Sequence, residues 1–160
     1  MTIARAAEKV DGHYIGAPVR RVNDPKFITG SGRFTDDINL PNTLHVAFVR
    51  SPHAHARINS IDTSEAENLP GVDKIVTGED VAKHMNPLMS FAAGPIHQYA
   101  LAVEKVRYVG EAVAAVIAEN RYIAEDACEL IKVDYDVLEP VVDPMRAMED
   151  DAPLVHELLE

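Results

Sequence analysis

"EAVAAVIAENRYIAEDACELIKVDYDV", residues 111–137, decides the fold. Its first nine residues, 111–119, form a nearly continuous apolar run, the pattern of a strand buried on both faces. Asn120 then stands where a helix N-cap is wanted, and Ile123, Ala127, Leu130 and Ile131 recur at helical spacing. From Ile131 to Val137 the period changes to strand alternation, so the helix is expected to end near Leu130. A buried strand, a short helix and a returning strand point to an α+β fold.

Working outward, "VDKIVT" (72–77), "ARINSID" (56–62) and "LHVAFVRS" (44–51) read as further strands. "TSEAENL" (63–69) begins with an N-capping Thr63, carries Glu65 and Glu67 in its first turn and stops at Pro70-Gly71, so it reads as a short helix. "GEDVAKHM" (78–85) reads as one or two helical turns. Residues 24–44 are turn-rich, with Gly30, Gly32, Pro41 and Asn42 as breakers. A loop is expected over 86–104, interrupted by Pro87, Gly94 and Pro95. The expected organisation is an N-terminal arm (1–18), one α+β domain (19–145) and a C-terminal tail (146–160).

Composition narrows the function classes. The 160 residues suffice for one domain with a real core. The net charge of −11 is wrong for wrapping nucleic acid, which needs a positive footprint. With a single cysteine, Cys128, the chain can build neither an intramolecular disulfide nor a cysteine-only metal or iron–sulfur site. No apolar run approaches the roughly 20 residues that span a bilayer, and no signal-peptide core opens the chain. A cytoplasmic protein is expected.

Several stretches invite a chemical reading. In "VRSPHAHARI" (49–58), His53 and His55 lie two apart, so on an extended segment both could face one metal ion. A catalytic zinc needs a third ligand, and no other short-spaced histidine cluster supplies one. The plainer reading is a pair of imidazoles bonded to their neighbours, with Pro52 breaking the strand. "TGSGRF" has glycines but lacks the third glycine, the following helix and the lysine of phosphate-binding loops, so it reads as a tight turn. Asp36 and Asp37 are adjacent and point apart on an extended segment. They fit turn capping, with Arg33 nearby as a hydrogen-bond partner, better than acid–base work. Ser51 has no nucleophile elbow around it. Gly110 and Glu111 open the buried strand, either as a bulge or as an acceptor at a cleft, and spacing alone allows both.

Taken in order, "GSGRFTDDINLPNTLHVAFVRSPHAHARINSIDTSEAENLPGV", "KIVTGEDV", "VRYVGEAVAAVIAENRYIAEDACELIKVDYDVLEPVVD" and "APLVHE" resemble one family. The chain looks like the N-terminal α/β hammerhead domain of the xanthine dehydrogenase/aldehyde oxidase family, over about residues 16–157. It most resembles the large, molybdopterin-binding subunit of three-component bacterial enzymes, including the carbon monoxide dehydrogenase type. The resemblance implies a mixed β-sheet with short helices. It also implies a complex that oxidises an aldehyde, an N-heterocycle or carbon monoxide, with oxygen from water in the hydroxylations. Such a complex holds a molybdenum cofactor, [2Fe–2S] clusters and FAD.

The family's cofactor loops and catalytic glutamate lie in later domains, so the resemblance assigns no catalytic, cofactor or metal residue to this chain. It implies instead a split hammerhead subunit or a fragment, and the Met1 start and "PLVHELLE" finish favour a subunit encoded on its own. The expected partners are the molybdenum-cofactor subunit, the [2Fe–2S] subunit and the FAD subunit. Expected contact residues are Arg33, Asp36 and Asp37, then Arg50, Ser51, His53 and His55, then Arg107, Tyr108, Gly110 and Glu111. An independent adaptor domain and a metallo-enzyme built on His53 and His55 are the alternatives.

Overall fold

Asn120 behaves as its position demands. Its side-chain oxygen accepts the Ile123 N–H at 2.9 Å and opens helix α4 (Arg121–Leu130). Ala124 and Ala127, three apart on its inner side, are fully buried, so the helix lies close against strand β5 (Ala112–Ala118). Ala114, Val116 and Ala118 meet it from the strand, with Ala66 and Ile131 completing the same core. The opposite face of β5 is buried too, through Val113, which packs with Ala56, Ala102 and Val106 in a second core. The apolar run thus marks a strand covered on both sides, as expected from its composition.

The computed structural model describes residues 15, 21–88 and 98–156. The 1–18 arm apart from Ile15, the middle of the 86–104 loop and the last four residues of the tail fall outside the described residues. The chain divides into two units, Met1–Pro41 and Asn42–Glu160. In the first, the turn-rich sequence contains a short helix α1 (Asp24–Ile28) and a 3-10 turn (Thr35–Asp37). The rings of Phe27 and Phe34 stack at 5.1 Å between centroids. Neither helical turn was legible from periodicity, because neither buries a residue.

The second unit holds two three-stranded sheets. Strands β1 (His45–Arg50), β5 and β3 (Val72–Thr77) form one, in the order β1-β5-β3. The other is ordered β4-β2-β6, from Lys105–Val106, Ala56–Asp62 and Lys132–Val137. All pairings are antiparallel, which corrects the expected mixed sheet while leaving the α+β class intact. The reason lies in the crossover. A parallel pair needs a long connection returning to the same sheet. Here α4 leaves one sheet and delivers β6 to the other, where it pairs against β2. Val49 and Val133 pack against both cores and so tie the two layers together.

Two short helices, α2 (Ser64–Glu67) and α3 (Gly78–His84), and a 3-10 turn (Arg146–Met148) complete the described part of the unit. The Asp80 carboxylate accepts the Thr77 N–H and hydroxyl at 3.2 and 3.0 Å, which fixes the start of α3 directly after β3. These bonds hold the Asp80 carboxyl below its ordinary value. Among the described residues, no helix is long and apolar enough to cross a membrane.

Candidate functional site

Strand β1 ends at Arg50 and β2 begins at Ala56, so Ser51–His55 is an irregular connection. It meets residues from the far side of the sequence. Arg50 Nη1 donates to the Gly110 carbonyl, 60 residues on, at 2.8 Å. The Gly110 N–H donates to the Ser51 carbonyl at 2.8 Å, and the Ser51 N–H donates to the Glu111 carbonyl at 2.9 Å. Two of the three expected contact clusters, 50–55 and 107–111, are therefore bonded into one cluster.

The 107–111 segment is a tight turn held from inside. The Glu111 carboxylate accepts the Arg107 N–H at 2.5 Å, and the Glu111 N–H reaches the Tyr108 carbonyl at 3.2 Å. Gly110 takes φ +88°, a left-handed value that side chains rarely adopt. Burial pushes the Glu111 carboxyl above its ordinary value, while the Arg107 N–H, the Arg107 charge and the Tyr108 N–H act the other way. Arg107 turns inward, with its guanidinium donating to the Val155 and Lys105 carbonyls at 3.1 and 3.2 Å. What the turn presents outward is apolar: Tyr108 and Val109 are 51% and 64% exposed.

The histidines sit differently from one another. His55 is buried, and its Nδ1 lies 2.9 Å from the Glu139 carbonyl oxygen. His53 is half-buried and packs edge-on against the Tyr135 ring at 5.0 Å. Ser51 Oγ accepts the His53 N–H at 3.0 Å. Burial pushes the Tyr135 phenol above its ordinary value, with Ser51 acting the other way. The His55 ring thus has a bonded neighbour, whereas His53 shows ring packing and a bond of its backbone N–H. Among the described residues, no group of three or more His, Cys, Asp or Glu is placed to hold a metal ion.

The third expected cluster lies in the first unit. Asp37 accepts the Phe34 N–H at 2.8 Å and so caps the 3-10 turn, as adjacent acidic residues in a turn were expected to do. Among the described residues no bond joins Asp36 or Asp37 to Arg33. In "TGSGRF" the Gly30 N–H goes to the Phe27 carbonyl at 3.2 Å, and the Ser31 and Gly32 N–H groups go to the Lys26 carbonyl at 2.9 and 2.8 Å. These amides close the end of α1 and are not turned toward an anion.

A cleft of about 820 Å³ adjoins the turn, lined among others by Arg57, Asn59, Tyr99, Lys105, Arg107 and Glu111. Lys105 is buried, which "VEKVRY" gives no sign of. Tyr135 was within reach of sequence reasoning, since it falls on the inward alternation of β6 with Val133. An iron–sulfur cluster needs about four thiolates. The chain has one, Cys128, partly buried with its thiol pushed up by burial and by Glu125. These residues do not fit such a cluster.

Residues 29–139 match the family described as "Aldehyde oxidase and xanthine dehydrogenase, a/b hammerhead domain". The chain is 48% identical over 156 residues to the carbon monoxide dehydrogenase large chain of Afipia carboxidovorans, covering 98% of this chain and 19% of that one. It is 41% identical over 146 residues to the nicotine 6-hydroxylase large subunit of Paenarthrobacter nicotinovorans, covering 84% and 17%. Among solved structures it superposes on the carbon monoxide-reduced Cu,Mo-CO dehydrogenase with TM-score 0.76 and 47% identity, covering 91% and 18%. On quinoline 2-oxidoreductase from Pseudomonas putida 86 the TM-score is 0.75 at 43% identity, covering 84% and 18%. The chain spans about a fifth of the length of these relatives. Matched residues and superposed fold together make the chain a member of the aldehyde oxidase and xanthine dehydrogenase family, corresponding to its a/b hammerhead domain.

Proposed function

We propose that this chain is the hammerhead part of a molybdenum hydroxylase that oxidises carbon monoxide, an aldehyde or an N-heterocycle in the cytoplasm. Its own role is structural. It docks beside the part of the large subunit that holds the molybdenum cofactor, in a complex with [2Fe–2S] and FAD subunits. Redox chemistry belongs to groups outside these residues. The hammerhead span is 19–145, which contains the matched 29–139, with 1–18 as arm and 146–160 as tail.

One observation carries this reading. Residues 50–55 and 107–111 are locked together by backbone and arginine bonds, yet they present Tyr108 and Val109 to the outside. A turn fixed from within and apolar on its outer side suits a partner surface. Arg50, Ser51, His53, His55, Arg107, Tyr108, Gly110 and Glu111 are its framework, with Arg33, Asp36 and Asp37 as further contacts from the first unit.

The test is isolation of the chain from its own host under gentle conditions, with metal and flavin analysis. A complex containing a larger molybdenum chain, iron and FAD is expected. Isolation as a stable monomer with none of these would overturn the proposal. Stoichiometric zinc in the chain, lost on His55→Ala, would favour a metallo-enzyme instead.

A further inference from the structure

His55 is only 5% exposed, and its Nε2 is buried without a hydrogen-bond partner among the described residues. The opposite nitrogen, Nδ1, faces the Glu139 carbonyl at 2.9 Å. A carbonyl only accepts, so Nδ1 carries the proton and a neutral ring keeps its lone pair on Nε2. The partner that Nε2 calls for is therefore a donor. Buried acceptors without one are unfavourable, and native proteins rarely leave them so.

The same ring lines a groove of about 330 Å³, whose walls include Ala54, Val109, Pro140, Val142 and Val155. Val109 sits on the locked turn, and the Leu138 N–H donates to the His55 carbonyl at 2.9 Å, so both sides are fixed. Arg107 also lines the groove, but its guanidinium is bonded to the Val155 and Lys105 carbonyls. Apart from His55, Arg107 and Tyr108 the lining side chains are apolar, and Val142 at its margin is 86% exposed.

We propose that this groove seats an extended segment of the large chain outside residues 1–160. The segment lays an apolar side chain between Val109 and Val142 and donates an N–H or hydroxyl to His55 Nε2. This rests on the docking role above. The occupant follows from two facts. The groove is continuous with the locked turn, and relatives at 41–48% identity carry this domain on chains it covers by only 17–19%. A segment of that longer chain is present at one copy per domain, and apart from His55 and Arg107, whose guanidinium is held by the Val155 and Lys105 carbonyls, the lining side chains are uncharged and so offer little to select a separate ionic ligand.

The experiment uses the complex isolated from its host, with a photo-crosslinking residue in place of Val142. The crosslink is expected to map to the large chain outside 1–160. His55→Asn keeps a donor for the Glu139 carbonyl but removes the Nε2 acceptor, and the crosslink is expected to disappear. His55→Gln puts an acceptor back near that position and is expected to restore it. With the crosslinker moved to Val109, Val142→Arg blocks the groove at an exposed position, without touching either core, and should also abolish the product. A crosslink to the flavin or iron–sulfur subunit, no crosslink, or one indifferent to both His55→Asn and Val142→Arg overturns the groove assignment while an intact complex leaves the docking role standing. A host chain found without any larger molybdenum chain overturns both.

Discussion

Glu111 shows how one buried carboxylate can shape a turn while weakening the fold's tolerance of ionisation. Its side chain supplies the acceptor for the Arg107 N–H, so Glu111→Ala leaves a part-buried donor unmatched and is expected to lower stability by about 1–3 kcal/mol. Glu111→Gln keeps a carbonyl oxygen for that bond and removes the charge. Burial raises the carboxyl above its ordinary value of 4.5 in the folded chain. The folded state therefore holds this proton more tightly than the unfolded state. The associated stabilisation is present below the ordinary value and is lost as pH rises through the raised one. Denaturant unfolding at pH 4 and pH 7 checks the sign: Glu111→Gln should gain on the native protein as pH rises. A gain at low pH instead would mean that the Arg107 interactions outweigh burial.

Helix α4 and its strand β5 are the elements most legible in the sequence, because each carries a local signal that tertiary contacts reinforce. Asn120 is a cap by residue type and by bond, and Asn120→Ala is expected to cost about 1 kcal/mol in thermal unfolding, with Asn120→Asp recovering most of it. β4 was illegible because a two-residue strand with both residues buried has no alternation to read. Sheet membership was equally hidden, since nothing in "IKVDYDV" says whether β6 returns beside β5 or joins β2. For the same reason the 50–55 and 107–111 clusters could be nominated separately but not joined. Helix α3 hides a further constraint. A Cβ on Gly78 would lie 1.9 Å from the Ala102 carbonyl oxygen, so the helix start and the 101–103 segment are in backbone contact. Gly78→Ala must push them apart, and a loss of about 1–3 kcal/mol is expected, as for other overpacked sites. An unchanged melting temperature would show that the segment yields freely.

At the scale of the whole chain, both hydrophobic cores draw their residues from 42–160, and among the described residues neither takes one from 21–41. The stability of the two sheets and α4 is therefore expected to survive removal of 1–41. A polypeptide of residues 42–160 should unfold in one cooperative transition, with a midpoint within a few degrees of the full chain's. Broad, non-cooperative melting would show instead that the first unit is needed to complete the fold. The same truncation separates folding from docking. Phe34, Ile38 and Leu40 are each more than 60% exposed and stand close in sequence to the proposed contacts Arg33, Asp36 and Asp37. If these residues meet the large chain, truncation at 42 should leave the melting curve nearly intact and yet reduce recovery of the domain with the molybdenum-bearing chain. Full recovery by the truncated chain would confine the docking surface to the locked turn and its groove.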